Sequence, residues 1–206
     1  SYITFPKNVK SGVSLEIIVD EVNFTTKGLY IKGANDVTVQ NCNFDNITAK
    51  EEGIDYAAIA VINYSGNITI TDNQIDGVKA ISGGDQTAAG IKIQQKAGLL
   101  EALESVTITG NVIKNVDWNA INFPNNRCSA KTVTISGNTF ENWDADNDGC
   151  NADASITNSG GRALRLSFSN NTPDVTISEN TFIKRYVANA SFVPNIETDS
   201  SNNAYD

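Results

Sequence analysis

Histidine is absent from the 206 residues. That gap removes Ser-His-Asp, Cys-His and His-zinc chemistries together, because each depends on an imidazole as base or ligand. Acid–base work, if there is any, falls to carboxylates, Lys, Arg or Tyr. Cysteine is scarce, and three residues cannot build a disulfide framework. Cys42 sits within an alternating β pattern, whereas Cys128 and Cys150 lie in Asn- and Asp-rich stretches. A single bridge, Cys128 to Cys150, stays open as an alternative. No apolar run approaches the ~20 residues a membrane span needs. Cations are outnumbered, with 15 Lys and Arg against 24 Asp and Glu and a formal net charge of −9. This balance argues against duplex nucleic acid and anionic membrane as partners, since both require clustered Lys and Arg. It suits an acidic extracellular protein. The chain opens Ser1-Tyr2-Ile3-Thr4 and shows no leader pattern, so it reads as a piece of a longer, multidomain protein.

What the chain does contain is repetition. Five segments superimpose without gaps: Val37-Thr-Val-Gln-Asn-Cys-Asn-Phe44, Ile68-Thr-Ile-Thr-Asp-Asn-Gln-Ile75, Val106-Thr-Ile-Thr-Gly-Asn-Val-Ile113, Val133-Thr-Ile-Ser-Gly-Asn-Thr-Phe140 and Val175-Thr-Ile-Ser-Glu-Asn-Thr-Phe182. A weaker copy, Ile17-Ile-Val-Asp-Glu-Val-Asn-Phe24, precedes them. Positions one and three are branched aliphatics around a polar residue, the period of a strand with one buried face. The sixth position is Asn in four copies, Asn73, Asn111, Asn138 and Asn180. Asn tolerates left-handed backbone and bonds to main chain at a sharp bend. Stacked coil on coil, these structural asparagines can also bond one another. Cys42 takes the same position and reads as a buried structural thiol.

A second strand family lies between the copies: Gly28-Leu-Tyr-Ile31, Ala58-Ile-Ala-Val61, Gly90-Ile-Lys-Ile93, Ala120-Ile-Asn-Phe123 and Ala163-Leu-Arg-Leu166. Each starts with Gly or Ala, where a tight turn leaves no room for more. Helical periodicity is confined to Gly98-Leu-Leu-Glu-Ala-Leu-Glu104, which predicts one or two helical turns. Such coils cannot bury their apolar faces singly, but stacking at ~4.8 Å makes a continuous core. The expectation is an all-β, single-stranded right-handed parallel β-helix of about six coils, each with three short strands. It forms one domain over 1–206, with coils over 17–185, an N-terminal cap at 1–16 and a C-terminal cap or tail at 186–206.

The run Asn-Val-Thr-Ile-Ser-Gly-Asn-Thr-Phe, nearly whole at 132–140, resembles the repeat of the pectin-lyase-like superfamily. That superfamily includes polysaccharide lyases, glycoside hydrolases, epimerases, phage tailspikes and non-catalytic surface proteins, so the resemblance implies a fold more than a function. It implies too that the Gly/Ala-started strand comes first in each coil, and that its outer face forms the binding groove. By alternation that face carries Tyr30, Ala60, Lys92, Asn122 and Arg165 in one row and Lys32, Ile62, Gln94, Pro124 and Ser167 in the next. Arg162, Trp118 and Tyr56 enter from the adjoining turn. Cations and aromatics on one face suit an acidic glycan, through charge-assisted bonds and ring stacking. A solvated sheet with scattered cations is the plain alternative.

Catalytic candidates are few. Asp55 and Asp117 hold equivalent positions two coils apart, roughly 10 Å by strand spacing, near the ~6.5–9.5 Å of inverting glycosidases. Lys92 or Arg165 offers a lyase base, though no acidic cluster accompanies either. Asp144-Ala-Asp146-Asn-Asp148-Gly149 matches the first half of an EF-hand-type loop and points to calcium, but Ser155 stands where the bidentate Glu belongs. The first expectation is a non-catalytic extracellular or bacterial cell-surface module, either glycan-binding or a rigid spacer. The alternative is a polysaccharide lyase or glycoside hydrolase acting on an acidic polysaccharide in the first-strand groove.

Overall fold

A computed structural model describes residues 2–4, 14–49, 57–63, 65–80, 88–95, 102–124, 128–143, 162–168, 172–183 and 196–199. Nineteen strands among them form three sheets, and every pairing is parallel. The first sheet holds β1 (Tyr2–Thr4), β4 (Leu29–Lys32), β7 (Ala57–Asn63), β10 (Ala89–Gln95), β13 (Ile121–Phe123), β16 (Leu164–Ser167) and β19 (Ile196–Asp199). The second holds β2 (Glu16–Asp20), β5 (Asp36–Gln40), β8 (Asn67–Thr71), β11 (Leu103–Thr109), β14 (Ala130–Ser136) and β17 (Asp174–Ser178). The third holds β3 (Asn23–Thr25), β6 (Asn43–Ala49), β9 (Gln74–Ala80), β12 (Val112–Val116), β15 (Thr139–Trp143) and β18 (Thr181–Ile183). Chain order cycles through the three sheets, so each trio is one coil. Six coils are completed, and β19 pairs onto β16 as the first strand of a seventh.

The repeat sets the register. Val37, Ile68, Val106, Val133 and Val175 stack in one column of the second sheet, with Val39, Ile70, Ile108, Ile135 and Ile177 in the next. A slip of one residue would turn every one of these side chains outward, at about 1.5–3 kcal/mol for each aliphatic exposed. The third sheet stacks Phe24 on Phe44 with ring centroids 4.5 Å apart and Phe140 on Phe182 at 5.2 Å. Burial fails toward the ends: Val22, at the corner position of the first coil, is 38 % exposed, and Val175, in the aliphatic column of the sixth, is 37 % exposed.

Between second and third strands the chain turns through one left-handed residue: Glu21, Asn41, Asp72, Gly110, Gly137 or Glu179, with φ between 52° and 67°. The left-handed position is therefore the fifth of the repeat, not the sixth where the asparagines stand. The sixth residue is instead free to point into the rod. Asn73 Nδ2 donates to the carbonyls of Val39 and Thr71, each at 2.9 Å, and to Asn111 Oδ1 at 2.9 Å. The backbone N–H of Asn73 donates to the same Oδ1 at 3.0 Å. Asn111 repeats this onto Asn138, and Asn138 onto Asn180. Cys42 continues the column with fewer bonds: its N–H donates to Asn73 Oδ1 at 3.0 Å and its thiol to the Gln40 carbonyl at 3.0 Å. Burial holds that thiol above the usual range.

Two features escape the repeat pattern. The third strands run past their eighth position and contain a second left-handed column, Asn46, Gly77, Asn115 and Asn142, with φ between 50° and 78°. It re-aims the chain so that Ile47, Val78, Val116 and Trp143 also pack inward. The helical turn expected over 98–104 is corrected where it is described: Leu103 and Glu104 open strand β11, and Leu103 is wholly buried. Leu103 pairs with Ala130 of the next coil, and that ladder overrides the local helical pattern.

Candidate functional site

The outer face of the first sheet is built by the same register. Tyr30, Ala60, Lys92, Asn122 and Arg165 form one row across β4, β7, β10, β13 and β16. Lys32, Ile62 and Gln94 form the neighbouring row. At the strand starts the backbone bends, so that Ala58, Ala88, Ala120 and Ala163 pack in the main core. Ala57 and Ala89 face the other way and gather with Ala60 and Tyr30 in a small apolar patch apart from that core. The bend also explains Gly28 and Gly90. A side chain at Gly28 would strike the carbonyls of Ala57 and Ala58, and one at Gly90 would lie 2.6 Å from the Ala120 carbonyl and 2.7 Å from Ile113.

Coil by coil, the face changes character. Toward the first coils it is Tyr30 and alanine; toward the last it is Lys92, Trp118, Asn119, Asn122, Arg162 and Arg165. Asn119 lies one rung from Ala89, fixed by hydrogen bonds from Trp118 N to Ala88 O at 3.1 Å and from Gly90 N to Asn119 O at 3.0 Å. Its Oδ1 accepts the Arg162 N–H at 2.7 Å, which fixes the amide and directs Nδ2 outward from that bond. The Arg165 guanidinium carbon sits over the Trp118 ring, 5.4 Å from its centroid. That contact uses an aromatic face which the sequence reading assigns to sugar stacking, so Trp118 serves here as a platform that aims Arg165.

The polar groups between these cations are covered. Asn119 is 0 % exposed, Asn122 1 % and Trp118 9 %. Yet Asn119 Nδ2, Asn122 Oδ1, Trp118 Nε1 and Gln94 Oε1 have no hydrogen-bond partner. An open buried polar group costs about 1–3 kcal/mol, so four on one face point to a bound group or to ordered water. Asn119 is the site residue that sequence reasoning misses. Its signal was an amide where the two preceding coils place Ala57 and Ala89.

The remaining candidates fall as follows. Asp117 is half-buried in the turn before β13, and its N–H donates to the Val78 carbonyl at 2.9 Å. Asp55, Tyr56 and the acidic loop with Asp144, Asp146 and Asp148 lie outside the described residues. Among the described residues no group of three His, Cys, Asp or Glu side chains is placed to hold a metal. Cys128 is wholly buried, which pushes its thiol up to about 12, and Cys150 lies outside the described residues. Up to β16, the outer rows of the first sheet carry no carboxylate among the described residues.

The sequence pattern of the right-handed β-helix region matches residues 8–182. The chain belongs to the right-handed β-helix family. No curated protein and no solved structure matches it. The β-helix family supplies the scaffold; the chemistry has to be argued from the covered cationic face.

Proposed function

We propose that this β-helix is a non-catalytic extracellular or cell-surface module that binds an acidic polysaccharide along the outer face of its first-strand sheet. The observation that supports the reading most is the Arg165–Trp118 pair beside Asn119 and Asn122, whose amides retain open polar atoms. A guanidinium held on a ring is aimed before ligand arrives, so little side-chain entropy is lost on binding a carboxylate. Lys92 adds charge on the coil before Asn122 and Arg162 on the coil of Arg165. Up to β16 the outer rows carry no carboxylate, and Glu197 and Asp199 enter them only on β19, beside Arg165 and Ser167, which favours binding over turnover on the central coils.

The test is retention on immobilised polygalacturonate, hyaluronan and a neutral glucan. Retention of the acidic polymers, weakened by salt and cut about tenfold or more by Arg165→Ala, is the expected result. Equal retention of the neutral glucan would remove the role of the cations. Release of unsaturated or reducing ends, abolished by Lys92→Ala, would replace this reading with a polysaccharide lyase or glycoside hydrolase.

A further inference from the structure

We infer that Glu197 and Asp199 close the C-terminal end of this face to anions, so that a bound polymer keeps its acidic sugars over Lys92 and Arg165 and brings an uncharged sugar, or its own end, to β19. The inference rests on the binding reading above and narrows its ligand. Its ground is the full length of the two outer rows. One row starts on the neutral Tyr2, Tyr30 and Ala60, passes Lys92 and Arg165, and ends on Glu197 in unbroken register. The other runs from Thr4 and Lys32 to Ser167 and Asp199. Among the described residues the carboxylates of both rows stand on β19 alone, and the N-terminal end has none. Leu164 and Leu166 pack in the core, so the pleat gives Arg165 and Ser167, and with them Glu197 and Asp199, the outward parity. Strand rise separates positions 197 and 199 by roughly 7 Å, so the two acids span the end of both rows.

Charge then sets an order along the axis. Lys92 and Arg165 are two rungs apart, roughly 10 Å by strand spacing, and Glu197 is one rung, ~4.8 Å, beyond Arg165. A polymer that meets both cations therefore runs along the rod. An anionic group at the Arg165 rung meets an opposite charge, and the next one toward β19 meets two like charges. In the other direction Ala60 and Tyr30 are neutral and Lys32 is cationic, so an acidic stretch can extend that way. Arg165 keeps its seat over the Trp118 ring throughout, and no rearrangement is required. An exposed pair of unit charges changes affinity by about twofold to fivefold, so the two carboxylates together suffice to set where the acidic stretch stops.

The experiment measures affinity for polygalacturonate and for its half methyl-esterified form, in which esters can take the place of charges at β19. The proteins are the full chain, the pair Glu197→Gln with Asp199→Asn, and a charge-matched control, Asp174→Asn with Glu179→Gln, which removes two exposed carboxylates away from this face. The expected result is about fivefold tighter binding of polygalacturonate by the first pair, a gain that shrinks in salt, with a smaller gain for the esterified polymer and none in the control. Melting curves show whether each variant is folded. Glu197→Gln alone should give about twofold, and it serves where the pair disturbs the last coil. Equal gains in both pairs would be an effect of net charge and overturn the inference, as would equal gains for both polymers. No gain in a folded Glu197→Gln protein, while Arg165→Ala still cuts retention, overturns it and leaves the binding module standing. Failure of every one of these proteins to bind either polymer overturns both.

Discussion

The β-helix buries two sets of asparagines and treats them in opposite ways. Inside the corner between second and third sheets, Asn73, Asn111 and Asn138 each accept and donate along the axis, and each is at most 1 % exposed. On the outer face of the first sheet, Asn119 and Asn122 are as deeply buried but keep an open donor and an open acceptor. The residue type, the burial and the parallel stacking are the same. The difference lies in the neighbours. The corner column repeats the same amide on successive coils, so each side chain meets a copy of itself. The face changes from alanine to amide to cation, so no coil supplies the matching partner. Repetition yields a closed internal ladder, and its loss yields groups that need something from outside.

The largest effect expected from this contrast is at the centre of the ladder. Asn111→Ala would strip partners from the N–H and Nδ2 of Asn73 and from the carbonyls of Ile70 and Thr109. A loss of about 3–5 kcal/mol in stability follows from several buried groups left unpaired. Urea unfolding measures it. A loss below about 1 kcal/mol would mean that water enters the corner and that the ladder is not a closed unit.

The mirror experiment is Asn122→Leu on the face. The side chain is 1 % exposed and its Oδ1 is unpartnered, so replacement by an apolar residue of similar size should leave stability unchanged or raise it by up to about 1–2 kcal/mol. Retention on acidic polysaccharide should fall in the same variant. Destabilisation as severe as that of Asn111→Ala would erase the distinction between the two sets. Opposite signs in stability and binding would sharpen it, as expected where function is held at the cost of stability.

How far the sequence carries the reading depends on the same contrast. The ladder is legible because it repeats: Asn73, Asn111, Asn138 and Asn180 share one offset from a Val/Ile pair, and alternation then puts Lys92, Asn122 and Arg165 in one row. The left-handed column at Asn46, Gly77, Asn115 and Asn142 is written at a fixed offset too, but its residues differ in type and only their shared φ > 0 unites them. The bend at Gly28 and Gly90, which turns Ala57 and Ala89 outward, follows from close backbone contact between coils. The seating of Arg165 on Trp118 joins residues 47 positions apart across a turn, and no local period encodes it. Position along a strand was readable; what covers that position was not.

Cys42 offers a smaller step, because it stands at the point where the ladder gives way to a thiol. The acceptors an asparagine would use are already there: the Gln40 and Val19 carbonyls that face its sulfur, at 3.0 and 3.7 Å, and Asn73 Oδ1. Cys42→Asn should therefore extend the column by one rung and stabilise the protein by about 1 kcal/mol. The melting temperature is the measure. A drop would show that the first two coils are too close for an amide, and that the ladder ends at Asn73 for reasons of volume.

The smallest effect belongs to a third kind of asparagine, paired but exposed. Asn41 Nδ2 donates to Asp20 Oδ1 at 2.9 Å on the solvent side of the corner, and this bond is the main cause holding the Asp20 carboxyl below its usual value of 3.8. A carboxyl lowered on folding lends stability above its unfolded pKa and loses it as pH falls through the folded pKa, so the contribution fades only in acid below about pH 4. Asn41→Gly, which removes the amide yet accepts the left-handed backbone at this position, should move the Asp20 titration, followed by carboxyl carbon NMR, back up toward 3.8 with scarcely any change in urea midpoint at pH 7. A titration that stays put would show that the pair is not formed in solution. A clear loss of stability at neutral pH would instead place Asn41 with the buried ladder, and solvent exposure would no longer divide the asparagines that hold the rod together from those that do not.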